Sequence, residues 1–333
     1  MRRGIILNLT AVLAAAALLT ALQYQADPPW RWLAMAAVAG VSVAIILAGR
    51  RNRKAGWGAL AAAGLTGCLW WTSIAPSNDR DWAPDVAHGV TADIAGPEVV
   101  LRNVRNFEWR SEDDFTPRWE TRRYSLDRLT SVDLVSSVWA SPAIAHTLIT
   151  FGFADNPHVV FSAEVRRERG EEFSEIGGFF KEFELVMIAA DEADILRLRT
   201  NIRRENVTLL PLRLDQAQAR ALFLAYVARA NRLDKTAEFY QTVTTNCTTV
   251  IFELARLVDK RVPMDWRILV SGYLPEYLYG LGVIRSDIPL DQVLQQAAIS
   301  RRAQDAPAAA DYSRVIRAES ATPATAGPGF GAR

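Results

Sequence analysis

The sequence predicts an α+β domain held at a membrane by three apolar helices, and three observations carry that reading. Long uncharged apolar runs fill the first 75 residues. Short β-rich runs then come before the helical patterns along the remainder. The one cysteine of that remainder, Cys247, stands where a helix begins.

Residues 4–24, 32–49 and 57–73 are each long enough to cross roughly 30 Å of hydrocarbon. Trp30, Trp32, Trp57, Trp70 and Trp71 sit near their ends as interfacial anchors would. A cleaved signal peptide fits the first run but not a succession of them. Arg2 and Arg3 precede the first run and Arg50, Arg51, Arg53 and Lys54 separate the second from the third, whereas residues 25–29 carry no basic excess. The basic segments are therefore expected in the cytoplasm, with everything after Ser77 exported. For a bacterium that means an inner-membrane protein whose N-terminus is cytoplasmic and whose main domain is periplasmic.

The organisation expected is an anchor over 1–75, a polar linker over 76–85, a globular domain over 86–302 and a disordered Ala-, Pro- and Gly-rich tail over 303–333. Within the domain, strands are expected over 98–104, 122–138, 146–153, 158–165 and 183–189. A helix opens at 191–194, a strand follows at 207–210, and residues 215–232 form the clearest helix, with Ala219, Leu222, Phe223, Tyr226 and Val227 at a 3.6-residue period. The Cys247 helix places Val250, Ile251, Leu254, Leu257 and Val258 on one face.

The charge balance, 38 Lys and Arg against 37 Asp and Glu, and the lack of a sustained basic face argue against nucleic acid as a partner. No metal-ligand spacing and no phosphate-cradling glycine loop appears, so neither metal nor cofactor is expected. Cys68 lies in the third apolar run and Cys247 beyond the membrane, which separates the two thiols.

A thiol at a helix N-terminus meets backbone N–H groups without intrahelical partners and the positive end of the helix dipole. Both favour a thiolate, and the same amides can hold an oxyanion. Asn246 and Thr245 stand where cap and oxyanion donors would be. The competing reading of Cys247 is a small buried hydrophobe. A nucleophile needs a base, and only three histidines exist: His88 in the entry segment, and His146 and His158 at the starts of neighbouring strands. If residues 155–157 form the connecting loop, pleat alternation puts His146 on one face with Glu164, Ser162 and His158, the candidates for a third group. A four-residue loop that includes Ala154 would turn them to the other face. Arg166 and Arg167 could hold a lipid phosphate, or form part of a solvated charged face.

Seven short motifs, in order, resemble one family: residues 76–82, 103–107, 115–119, 145–153, 163–168, 198–201 and 246–248. Together they resemble the periplasmic domain of the Lnb lipoprotein N-acyltransferase family over about residues 76–290. The resemblance implies a permuted papain-type fold, as in the NlpC-like and lecithin:retinol acyltransferase-like thiol enzymes, with an antiparallel sheet and the histidine preceding the cysteine. It implies that Cys247 takes an acyl chain from a phospholipid as a thioester and passes it to the N-terminal amine of a lipoprotein. His158 looks like the second histidine of the retinol-type enzymes. The alternatives are a thiol amidase or peptidase cutting cell-wall peptides and a non-catalytic envelope-binding protein.

Overall fold

Three long helices open the chain: α1 (Arg2–Gln25), α2 (Trp30–Arg51) and α3 (Arg53–Ser73). The computed structural model describes residues 2–27, 29–154, 157–306 and 311–318. α1 and α2 are long and apolar enough to cross a membrane. α3 has the length without the apolarity, because Gly56, Gly58, Gly64 and Gly67 and the tryptophans Trp57, Trp70 and Trp71 dilute its Ala and Leu. The expectation of three apolar spans is thus corrected to two, with a third helix packed beside them. Asn52 alone separates α2 from α3 and caps the latter, accepting from Lys54 N at 3.0 Å. A Cβ at Gly49 or Gly56 would run into Leu7, so these small residues let the helices close on one another.

Residues 76–85 are not a free linker. Trp82 and Ala83 are buried, Trp82 bridges to Glu168, and the Arg166 guanidinium lies 4.4 Å from the Trp82 ring. Burying an indole against a cation draws this segment onto the domain.

The strands are β1 (Thr91–Ala95), β2 (Glu98–Arg105), β3 (Glu108–Trp109), β4 (Phe115–Thr116), β5 (Trp119–Ser125), β6 (Leu129–Val138), β7 (Ala145–Phe153), β8 (Val159–Arg166), β9 (Glu184–Asp191) and β10 (Asn206–Pro211). The expected single run over 122–138 is two strands, parted where Leu126–Arg128 makes a 3-10 turn. The main sheet runs β1-β2-β9-β8-β7-β6-β10, with β5 paired to β2. All its pairings are antiparallel except β2 with β9, which is parallel at Val104↔Ala189 and Arg105↔Ala190.

Helices cover both faces. After β9, Asp191 caps α4 (Glu192–Arg197) by accepting from Ala193 N at 2.9 Å, and a π-helical turn, Leu198–Ile202, continues it. After β10 comes α5 (Gln216–Lys235), opened by a capping box of Asp215 with Gln218. Then follow α6 (Cys247–Val258), α7 (Leu274–Gly280), α8 (Leu290–Ala297), α9 (Ser300–Asp305) and α10 (Tyr312–Arg317). On the α5 and α6 side, Phe151, Phe161, Phe223 and Tyr226 pack at 5.0–5.8 Å, edge to face except for the tilted Phe161–Tyr226 pair. Each such fully buried ring contributes roughly 1.5–3 kcal/mol. On the opposite face Leu148, Val160, Ile188 and Leu196 pack with Ile299 and Ile316.

The expected boundary at 302 is therefore too early. Ala303, Tyr312 and Ile316 are buried, and Arg317 pairs with buried Glu192 and Asp133 at 2.7 and 3.0 Å. The rest of the expected tail, 307–310 and 319–333, lies outside the described residues, as do Asp155 and Asn156 of the expected hairpin loop.

Candidate active site

Asn246 builds the start of α6. Its backbone is extended, and its side chain accepts from the amides of Thr248 and Thr249 at 3.0 and 2.9 Å. Thr249 Oγ1 in turn accepts from Asn246 N at 2.7 Å, closing a reciprocal cap worth ~1 kcal/mol. The cap occupies the second and third amides of the helix and leaves that of Cys247, the first, unspent on it. Val250 and Leu254 fix α6 in the core, while Cys247 is 9% exposed at its leading end.

β7 and β8 bring the other groups to that thiol. Their register, Ile149↔Phe161, Thr150↔Val160 and Phe151↔Val159, has the parity that places His146, Ser162 and Glu164 on one face. The backbone ladder between these strands is confined to those three pairs, although β6 flanks nearly all of β7 and β9 flanks all of β8. At the open end side chains bridge the strands: His146 Nε2 lies 2.7 Å from Ser162 Oγ and 3.0 Å from Glu164 Oε1, and Ser162 Oγ donates to Glu164 at 2.7 Å. With Nε2 so engaged, Nδ1 is the ring nitrogen left for the thiol. Behind Glu164, Arg199 from the π-helical turn stands 3.4 Å from it and 3.4 Å from Glu205, which accepts from Ser137 Oγ. π-Helical turns recur at functional positions because they re-aim one side chain within a helix.

The electrostatics follow from this placement. Burial alone would push the Cys247 thiol up, but the His146 imidazolium beside it, together with the Thr147 amide and hydroxyl, reverses the sign and holds it at about 6. Burial would lower His146, yet the Glu164 carboxylate and the Cys247 thiolate together outweigh that and raise it to about 9. Glu164 itself, opposed by burial, is held well below the usual carboxylate range by His146, Arg199 and Ser162. Near neutral pH the arrangement is therefore a thiolate, an imidazolium and a carboxylate in a row. Thr147 can serve the thiolate because it lies past the last β7–β8 pair; its hydroxyl also meets Thr248 Oγ1 at 3.2 Å.

Cys247 and His146 line a cavity of about 680 Å³. Phe173, Leu269, Ile144 and Trp139 line it too and are exposed, so apolar side chains from separate segments form its rim. Among the described residues no group of His, Cys, Asp or Glu is arranged to hold a metal ion.

The structure brings Cys247, His146, Ser162, Glu164 and Asn246 together. Thr245 lies beside them, its backbone paired with Gln241. His158 is elsewhere. It lies against Gly152 at the far end of β7, six residues or roughly 20 Å from His146, in the field of Glu192, Arg317 and Asp133. Arg166 is buried and donates to Val86 O, Ala87 O and Asn78 Oδ1, and Arg167 is held by both oxygens of Asp85. Arg166 is spent on these partners, whereas Arg167 engages Asp85 through one nitrogen and lines the cavity. The residues that spacing did not single out are Arg199, Glu205 and Thr147; the only sequence sign of Arg199 and Thr147 was their place in the family-like segments 198–201 and 145–153.

Residues 115–272 match the family described as the Lnb N-terminal periplasmic domain. No curated protein matches the chain, and no solved structure does.

Proposed function

For a chain whose residues 115–272 match the Lnb N-terminal periplasmic domain family, we propose a membrane-anchored cysteine acyltransferase that moves an acyl chain from a phospholipid to the N-terminal amine of a lipoprotein. The observation that carries this reading is the Cys247–His146–Glu164 row in a cavity with an apolar rim. The Cys247 thiolate attacks the donor's ester carbonyl, and the negative charge that develops on its oxygen is met by the Cys247 N–H. Collapse expels the donor's alkoxide, which takes the proton from His146, and leaves a thioester. The acceptor amine then attacks the thioester carbonyl, His146 removes its proton, and Cys247 departs as the thiolate. Glu164 keeps the imidazole oriented and charged, and Arg199 holds Glu164.

The anchor supports the same reading. Tyr24 and Gln25 at the end of α1 and Trp71 at the end of α3 all touch residues 174–181, whereas the α2–α3 turn, with Arg50, Arg51, Arg53 and Lys54, lies at the opposite end of the bundle. α3 thus runs from the basic turn back to the end of the bundle where the domain sits, which favours a cytoplasmic basic turn and a periplasmic domain.

Mass spectrometry of lipoprotein N-termini in cells with wild type, Cys247→Ala or His146→Ala as the sole N-acylating candidate tests the proposal. An N-acyl group with wild type that disappears with both variants is expected. Identical N-termini in all three would overturn it and put a thiol hydrolase first.

A further inference from the structure

The loop between β8 and β9 exposes Phe173, Ile176 and Phe179 at 51%, 57% and 50% of their surfaces. Spaced three apart, they project from a segment whose own backbone is folded: Ser174 accepts from the Gly177 and Gly178 amides at 3.0 and 3.1 Å, and Thr242 Oγ1 donates to Glu175 O at 2.8 Å. Ordered aromatic and branched side chains held outward in this way have no counterpart in a merely solvated loop.

The same loop is tied to the membrane helices where they leave the bilayer. Gln25, the last residue of α1, donates to Phe180 O and Lys181 O at 3.0 and 2.9 Å, and Tyr24 stacks on Phe180 at 5.9 Å. Lys181 Nζ donates to Trp71 O and Ile74 O at 2.8 and 3.1 Å, closing the C-terminal end of α3, and sits 4.7 Å from the Trp71 ring. Lysine, tyrosine and tryptophan at this depth are what a headgroup region selects. The loop's height is therefore set by the ends of α1 and α3.

We propose that Phe173, Ile176 and Phe179 form an apolar collar seated in the leaflet that α1 and α3 enter, so that the cavity opens sideways into lipid rather than up into water. Phe173 belongs both to the collar and to the cavity lining, which makes the passage from leaflet to Cys247 continuous. Exposed Glu172 and Glu175 alternate with the apolar side chains and hold the collar at headgroup depth. This inference rests on the acyltransferase reading for its purpose: a two-chain amphiphile reaches the thiolate without leaving the bilayer, and its headgroup stays outside.

The test measures depth independently of catalysis. The full-length chain carrying Cys68→Ser and Cys247→Ser is labelled with bimane at Ile176→Cys, at Phe179→Cys, or at exposed Ala154→Cys, which lies at the end of β7 remote from His146. Each is reconstituted into phosphatidylcholine vesicles with and without bromine on the acyl chains. Loss of more than half the fluorescence at both collar positions, with little change at Ala154→Cys, is expected. Quenching at the collar no greater than at Ala154→Cys would overturn the proposal. Because all three proteins lack the nucleophile, a failed collar and a failed acyltransferase reading are told apart by comparison with the lipoprotein measurement.

Discussion

His146 and Glu164 each lie three residues past the Ile149↔Phe161 pair on their strands, and they meet at 3.0 Å where the backbone ladder between those strands has already ended. The pair depends on side chains alone, and so does the protonation of the nucleophile.

Glu164, with the Cys247 thiolate, raises His146 to about 9, and the charged imidazole in turn holds Cys247 at about 6. The ion pair accordingly exists above about 6, where the thiol has lost its proton, and below about 9, where the imidazole still has one. Glu164→Gln should lower the upper limit, because the imidazole loses the carboxylate that holds its proton, and so shorten the window from its alkaline side. The rate of iodoacetamide alkylation of Cys247 against pH reads this directly, and an unchanged profile would exclude the carboxylate from the row.

Arg199 acts with the opposite sign. Its positive charge opposes the imidazolium, so Arg199→Gln should move the alkaline limit of the same profile upward. It also leaves buried Glu205 with only the more distant Arg203 guanidinium at 3.9 Å, at a cost of about 1–3 kcal/mol in stability. Arg199→Lys should restore part of the stability, whereas a residue that only fills space would shift stability without the profile.

His158 stands apart from the thiol at the far end of the strand pair. His158→Gln should leave lipoprotein N-acylation within about twofold of wild type, whereas His146→Ala should cost a hundredfold or more, on the order of what a general base supplies. Equal losses in the two variants would require a second catalytic histidine.

Arg317 of α10 neutralises Glu192 and Asp133, both buried. Arg317→Ala should destabilise the domain by about 3 kcal/mol, because it leaves two carboxylates enclosed with only neutral partners and His158 nearby. Thermal unfolding in detergent would show it, and a change under 1 kcal/mol would mean that α10 is not part of the fold's cooperative unit.

The thiol at a helix start was legible because Asn246, a strong cap, precedes residues whose apolar positions share a face. α5 was legible for the same reason, with Asp215 at its head. The face shared by His146 and Glu164 was not, since a one-residue change in loop length reverses every side chain of β8 and no local signal fixes that length. The 3-10 turn inside 122–138 hid among β-formers, with only Asp127 and Arg128 between Leu126 and Leu129 to mark it. α10 escaped because two apolar residues, Tyr312 and Ile316, are too few to stand out in an Ala- and Pro-rich region until Arg317 finds its distant acids. Arg199 was missed because its partner Glu164 comes from the distant strand β8 and only the fold brings the two together.

The short β7–β8 ladder also gives the sheet a seam. β7, with β6 and β10, carries the base; β8, with β9 and β2, carries the carboxylate; three residue pairs join the two plates. Parting them at the site end breaks side-chain contacts only, so it is the cheapest large motion available to the sheet. Were the strands to part there, the imidazole would lose the carboxylate that keeps it protonated. On the proposed mechanism the charge on the base would then depend on closure of this seam, a restraint for a lone sulfur in an oxidising compartment.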